Sequence, residues 1–298
     1  MGIENWLLIV AAIAPAIVLG GYIFKKDRVE KEPLSLLALI FAMGVFSCFP
    51  AIILEEIGEG LILGFMGDSI KVTEDGIYSI GTGSYYIYQA LTAFLGVALI
   101  EEFCKWFAMK GVTAKHKEFD NIFDGVVYGS FAALGFATLE NIMYVLNYGW
   151  GTAFTRAFLS VPGHLSYGVI MGYYYSLWKI AEKANSLEKN LKVQGKIPMY
   201  AKEISYKKFA WLSVIVPTFY HGAYDLCCFL GNEAATYTMV GLVIFLYIYC
   251  FGKIKKMSRA DGLIRNYYIN VILEKYPGLS ADVEASDKEI LREIIEKA

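Results

Sequence analysis

Apolar residues form seven long runs in this chain, separated by shorter polar segments. The runs cover roughly residues 5–24, 34–54, 85–109, 122–146, 153–178, 209–230 and 234–252. At about 1.5 Å of rise per residue, about 20 helical residues cross a hydrocarbon core of roughly 30 Å. The pattern therefore predicts an all-α, polytopic transmembrane bundle with seven spans.

Basic residues alternate between the segments that join these runs. Twenty Lys and Arg residues follow the first, third, fifth and seventh runs, whereas the opposite segments hold Lys71 and Arg156. The positive-inside rule then places the N-terminus outside and the basic loops and C-terminal tail in the cytoplasm. The basic cluster follows the first run instead of preceding it, which favours a retained span over a cleaved signal peptide. We therefore expect a multi-pass protein of the cell membrane.

Composition supports this class and excludes several others. Hydrophobic residues make up 56% of the 298 positions and charged residues 19%, whereas soluble domains carry about a quarter charged residues. The net charge is -2 and the basic residues are divided by membrane side, so no nucleic-acid partner is indicated. The five cysteines lie within apolar runs without a CxxC pair, which argues against a disulfide framework or a zinc knuckle.

The chain divides into two parts. Residues 1–252 form the predicted membrane domain, whose spans at about 85–230 carry the candidate functional residues, and residues 253–298 form a soluble tail. In that tail, Ser286 and Glu289 match a capping box that precedes an apolar helical face. We therefore expect a short helical cytoplasmic tail.

A few ionisable residues lie deep within the apolar runs. A charge at such depth costs about 2.5–3.5 kcal/mol, so these residues need partners or a function. They are confined to the third through sixth runs, as a shared internal site requires. The set comprises Glu101, Glu102, Lys105, Glu140, His164, His221 and Asp225.

Helical spacing pairs some of these side chains. Glu101 and Lys105 are four residues apart and share a helix face, whereas Glu102 is expected to point about 100° away. His221 and Asp225 have the same spacing, so the carboxylate can orient the imidazole. These patterns favour a polar cluster inside the bundle.

Structural explanations exist for the same residues. Glu101 and Lys105 can form an ion pair without catalytic function, and a transmembrane histidine can serve packing alone. The Glu55–Glu56 dipeptide at the outer end of the second run needs no function. His116 is expected at the surface and Asp124 at the membrane interface. Along the helix axes the deep groups spread over about 10 Å or more, so the sequence does not prove that they meet.

Four motifs, each on its own run, resemble a known family. EEFCK at 101–105 matches EExxK, FATLE at 136–140 matches FxxxE, and PGHLSYG and HGAYD contain His164 and His221–Asp225. Together these motifs resemble the PrsW intramembrane proteases, which are distant relatives of the CaaX prenyl endopeptidases. The CaaX branch more typically shows EExxxR and a histidine where Glu140 stands. The resemblance covers roughly residues 95–230.

The resemblance implies that the glutamates and histidines take part in peptide-bond cleavage. It also implies a single-span membrane protein substrate within the bilayer, such as an anti-sigma factor. No serine or cysteine has the context of an activated nucleophile, so attack by water is favoured. Our hypothesis makes Glu102 the general base, with Glu101 held by Lys105 or sharing that role. His164 and His221 would stabilise the oxyanion or bind a metal ion. Asp225 would orient His221, and Glu140 would donate a proton or serve as a metal ligand.

Two questions stay open at this level. Glu102, Glu140, His164 and His221 form a plausible zinc-ligand set, but HExxH is absent, so the residues leave metal dependence undecided. A proton- or ion-coupled transporter is the alternative function, because buried acids and histidines also relay protons. The absence of an internal repeat argues against that alternative.

Overall fold

The structure is a computed structural model that describes residues 2–73, 76–79 and 81–281, and it is almost entirely helical. The helices are α1 (Ile3–Lys26), α2 (Leu34–Met66), α3 (Thr82–Leu91), α4 (Leu99–Thr113), α5 (Asp124–Tyr148), α6 (Trp150–Phe158), α7 (Ser160–Val193), α8 (Lys207–Leu230), α9 (Glu233–Arg259), α10 (Ile264–Lys275) and α11 (Gly278–Ala281). A π-helical stretch, Thr92–Ala98, joins α3 to α4 without a break. The all-α prediction is confirmed.

A small hairpin interrupts the helical pattern after α2. A 3-10 turn, Gly67–Ser69, leads into β1 (Ile70–Thr73), which pairs antiparallel with β2 (Gly76–Ser79). The α2 helix continues to Met66. It therefore includes the first part of the segment after the second apolar run, which is rich in acidic residues and glycine.

Five continuous helical segments are long and apolar enough to cross a membrane. They are Ile3–Lys26, Leu34–Ser69, Thr82–Thr113, Asp124–Tyr148 and Glu233–Arg259. The α7 and α8 helices are also long, and they carry His164, His221 and Asp225, which the sequence placed at membrane depth. The membrane protein class is confirmed, whereas the count of seven spans stays a prediction.

The fifth apolar run, predicted over 153–178, is divided between two helices. The α6 helix ends at Phe158, and α7 begins at Ser160 and continues to Val193. Pro162 lies in the first turn of α7, where its missing N–H costs no helical hydrogen bond. The break between the helices is therefore compatible with the local sequence.

The α5 and α7 helices pack against each other at the centre of the bundle through small residues. A side chain at Gly129 would overlap the carbonyl oxygen of Gly168, and one at Gly172 would overlap the backbone of Gly125. Only glycine permits such close backbone approach. This crossing brings His164 of α7 close to Glu140 of α5.

A second close approach involves α8. A Cβ atom at Gly222 would lie 2.5 Å from Cδ1 of Phe94, which belongs to the π-helical stretch. The missing side chain lets α8 lie against the segment that leads into α4. The neighbouring His221 is thereby placed beside the two glutamates of α4.

The segment after α9 is mostly helical where it is described. The α9 helix continues to Arg259, and α10 packs against α7. The predicted capping box at Ser286 and Glu289 lies outside the described residues.

Candidate active site

The ammonium group of Lys105 lies at the centre of the polar cluster. Its Nζ is 2.9 Å from Oε2 of Glu101, 2.8 Å from Oε1 of Glu102 and 3.1 Å from Nδ1 of His164. The same Nζ lies 4.1 Å from the ring centroid of Phe136. Lys105 is fully buried, so these contacts replace the water that a charged amine requires. The expectation that Glu102 points away from the lysine is wrong, because the amine reaches both carboxylates.

His221 links α8 to both glutamates of α4. Its Nδ1 is 2.9 Å from Oε1 of Glu102, which favours Nδ1–H as the donor to that carboxylate. Its Nε2 is 3.8 Å from Oε2 of Glu101 and 3.4 Å from Oδ2 of Asp225. Tyr167 stacks on the imidazole with ring centroids 4.8 Å apart. The ring is thus held by contacts on its edge and its face.

His164 links Lys105 to Glu140. The lysine amine lies against Nδ1 of His164, and Nε2 of the same ring lies 2.8 Å from Oε2 of Glu140. Arg156 of α6 places Nη2 3.0 Å from the same carboxylate oxygen. Its Nε donates to Oδ1 of Asn141 at 2.9 Å. Glu140 is therefore held between an imidazole and a guanidinium group.

These groups border an internal cavity of about 310 Å³. Glu101, Glu140, His164, His221 and Asp225 all line it. Since liquid water occupies about 30 Å³ per molecule, the cavity has room for water and a short stretch of peptide. Lys105 and Glu102 are fully buried beside it. The cavity wall thus carries acids and imidazoles that can exchange protons with a bound substrate.

Four side chains fit a metal ion by their chemistry and convergence. Ligand atoms of Glu101, Glu102, His164 and His221 all lie within 4.8 Å of one another. Imidazole and carboxylate donors suit zinc, and Oε2 of Glu102 is buried without a hydrogen-bond partner among the described residues. Lys105 contacts three members of the set, so an ion would compete with its ammonium group. The metal-ligand set predicted from the sequence contained Glu140, whereas the four converging side chains in the structure include Glu101 in its place.

The structure brings together all seven residues that the sequence indicated, despite their expected axial spread. The structure adds detail on three further polar residues, whose expected roles stay predictions. Glu55 lines the cavity, although its dipeptide was treated as having no function. Asp124 is fully buried and accepts hydrogen bonds from loop N–H groups, and His116 is half-buried.

Sequence reasoning missed Arg156 and Tyr167 as members of the site. Arg156 was counted among the outer loop residues, yet it contacts Glu140 and its guanidinium carbon lies 4.0 Å from the ring centroid of Tyr144. Its position within an otherwise apolar run was the available signal. Tyr167 follows His164 by three residues and so shares its helix face. No comparable signal distinguished it from the other tyrosines.

Comparison with known proteins is consistent with this geometry. The family model described as "PrsW family intramembrane metalloprotease" matches residues 32–251. Protease PrsW of Geobacillus kaustophilus is 34% identical over 260 residues, which cover 87% of this chain and 94% of the relative. Protease PrsW of Bacillus subtilis is 32% identical, covering 84% and 94% respectively.

A more distant relative, Protease PrsW of Clostridioides difficile, is 27% identical and covers 84% of this chain and 90% of the relative. No solved structure matches the chain. The relatives named here are proteases, so they support a membrane-embedded peptidase over the transporter alternative. The chain therefore belongs to the PrsW family of intramembrane proteases.

Proposed function

We propose that this protease hydrolyses a peptide bond of a single-span membrane protein inside the 310 Å³ cavity, using water activated by a glutamate. The observation that carries the proposal is the meeting of carboxylates and imidazoles from four helices on one cavity wall. Amide hydrolysis needs a base for the water, a stabilised oxyanion and a proton for the leaving amine. The cavity offers a group for each of these needs.

Glu101 is the better general base of the two adjacent glutamates. Its carboxylate borders the cavity, whereas Glu102 is fully buried and Oε1 of Glu102 is held by Lys105 and His221. A base must reach the proton that it removes, so position decides between two chemically identical groups. Glu102 then fixes His221 in orientation. This assignment replaces the sequence-based preference for Glu102.

The two histidines provide the remaining proton chemistry. With Nδ1–H directed to Glu102, Nε2 of His221 faces Asp225 and Glu101 and can donate to a developing oxyanion once it is protonated. Nε2 of His164 lies 2.8 Å from Glu140, which lines the cavity and, in its protonated form, can pass a proton to the leaving amine. Arg156 keeps Glu140 in place for that transfer.

Glu101, Glu102, His164 and His221 would hold a metal ion such as zinc if the enzyme uses one. A bound ion of this kind supplies Lewis acidity and lowers the pKa of its water. Chelation followed by zinc addition tests this part of the proposal. Full activity after verified metal removal would exclude a metal requirement.

The substrate proposal rests on family resemblance and on the membrane setting. We propose a membrane-anchored protein with one span, such as an anti-sigma factor, as the substrate. We also propose that residues 1–252 form the protease domain, with the N-terminus outside and the basic loops and tail in the cytoplasm. Labelling of single cysteines placed in these loops from each side of intact cells tests the orientation.

Purified protein reconstituted with a panel of single-span membrane proteins tests the reaction. We expect a defined cut, mapped by mass spectrometry, that Glu101→Gln abolishes. Glu56→Gln is the matched control, because Glu56 is exposed and this substitution removes the same charge. Undiminished cleavage by folded Glu101→Gln protein would refute Glu101 as the base.

A further inference from the structure

A second, larger cavity lies at the basic end of the bundle, between the end of α4, the middle of α7 and the start of α10. Its volume is about 860 Å³. The side chains of Ala114, Phe119, Trp178 and Tyr268 give it an apolar wall. This cavity, called here the basic cavity, shares no lining residue with the site of proteolysis.

Positive charge dominates the lining of the basic cavity. Six basic side chains line it against the two acidic ones, Asp120 and Glu182; the basic ones are Lys110, Lys115, Lys117, Lys179, Lys183 and Arg265. Lys110, Lys115 and Lys183 form no ion pair with a carboxylate in the described part of the chain. Uncompensated amines around a concave surface attract an anion.

The outer face of α4 connects this charge to the lipid-facing surface. Phe103, Trp106, Phe107 and Lys110 recur at helical spacing, so they share one face. Phe103 is 46% exposed and Phe107 66% exposed. The Nζ of Lys110 lies 4.4 Å from the ring centroid of Trp106 and 5.5 Å from that of Trp178. An amphipathic molecule can thus lie with its anionic end in the cavity and its apolar part along α4.

We propose that the basic cavity binds the phosphodiester headgroup of an anionic phospholipid, whose acyl chains pack along Phe103, Trp106 and Phe107. Basic pockets between transmembrane helices are known to hold such headgroups. The apolar track favours a lipid over a free phosphate, because a free phosphate gains nothing from exposed phenylalanines. The binding site lies at the end of α4, the same helix that carries Glu101 and Glu102. The proposal depends on membrane insertion and not on the protease mechanism.

Tryptophan quenching measures this binding directly. In a reporter variant, Trp6, Trp150 and Trp211 are replaced by Phe, which leaves Trp106 and Trp178 beside the cavity. All three replaced side chains are exposed, so folding should survive. The reporter is reconstituted in phosphatidylcholine vesicles that contain brominated phosphatidylglycerol or, as reference, brominated phosphatidylcholine. We expect stronger quenching by the brominated phosphatidylglycerol.

Variants that remove the same number of charges inside or outside the basic cavity show where the lipid binds. Lys110→Gln, Lys115→Gln and Lys183→Gln together should weaken the preference for phosphatidylglycerol on the order of 10- to 100-fold. Lys207→Gln, Lys208→Gln and Lys255→Gln together remove the same charge outside the cavity and should leave the preference unchanged. Lys115→Gln with Lys183→Gln changes two exposed residues only and should give an intermediate loss. Thermal melting in phosphatidylcholine checks that every variant is folded.

Three results would overturn the proposal. The first is equal quenching by both brominated lipids. The second is an equal loss of preference in the cavity variant and its matched control, which would indicate only general charge attraction. The third is removal of the preference by inorganic phosphate, but not by chloride at the same ionic strength, which would indicate a site for soluble phosphate.

Discussion

Two groups of buried or half-buried acids lie at different levels of this bundle. In the central group, Glu101 and Glu102 contact Lys105 and His221, which are side chains from two helices. The second group, called here the loop-end acids, comprises Asp27, Glu32, Asp124 and Asp261. Its members lie where helices end at the basic side.

Three of the four loop-end acids accept hydrogen bonds from backbone N–H groups. Asp124 accepts from the N–H groups of Asp120 and Asn121 at 3.1 and 2.7 Å, and Asp261 accepts from Phe123 at 3.0 Å. Asp27 accepts from the N–H of Glu32 at 3.1 Å. One oxygen on each of the four loop-end acids, Glu32 included, has no hydrogen-bond partner among the described residues. These acids tie loops to helix ends.

Burial of a carboxylate therefore does not by itself identify a reaction site. What distinguishes the central group is a set of titratable partners from other helices and a cavity that those partners line. Backbone amides cannot exchange protons usefully with a substrate, whereas imidazoles can.

The largest expected difference between the two groups concerns activity. Glu101→Gln should lower the rate of peptide cleavage by about 10²–10⁴-fold, because the general base is lost. Asp124→Ala should keep the rate per folded molecule and lower stability by about 1–3 kcal/mol, since it removes buried hydrogen bonds. Cleavage assays on monodisperse protein, together with denaturation midpoints, measure both effects. A folded but inactive Asp124→Ala protein would contradict the distinction between the central group and the loop-end acids.

The next prediction concerns Lys105 itself. Lys105→Met leaves two buried carboxylates without their amine and should destabilise the protein by about 3–5 kcal/mol. The double variant with Glu102→Gln should recover part of that loss. If the four donors hold a metal ion, zinc should raise the melting temperature of Lys105→Met more than that of the parent. Equal shifts in both proteins would contradict competition between the ion and the amine.

A smaller effect is expected at Arg156. Arg156→Lys keeps the charge but cannot bridge Glu140 and Asn141 simultaneously, so we expect kcat to fall about tenfold with little change in KM. As a positioning residue, Arg156 should also affect the pH profile of kcat through Glu140. A change confined to stability would assign Arg156 a purely structural role.

The smallest prediction concerns pH and Glu32. Burial raises the pKa of Glu32 to about 7, above its usual value of about 4.5. The folded state therefore binds more protons than the unfolded state between these values, and stability should decrease as pH rises from about 4.5 to 7. Glu32→Gln should remove about 1–2 kcal/mol of that pH dependence. Melting temperatures from pH 5 to 8 measure it, with the exposed Glu30→Gln as control.

Much of the site was predictable because membrane burial makes charge conspicuous. Lys105, His164 and His221 stood out in apolar runs, and four motifs identified the family. Arg156 was missed because it was assigned to a loop by its charge. The break at Leu159 was missed because both flanking helices are apolar, so hydropathy carries no signal there.

The sequence by itself determined the helical class, the membrane setting and the ionisable residue types proposed for the active site, because spacing and burial cost act locally along the chain. Tertiary structure alone decided that Lys105 contacts both glutamates and that Glu101, not Glu102, lines the cavity. Adjacent residues on one helix lie at nearly the same height and point in different directions around the helix axis. Which of them faces a partner depends on where the neighbouring helices pack, and the glycines of α5, α7 and α8 set that packing.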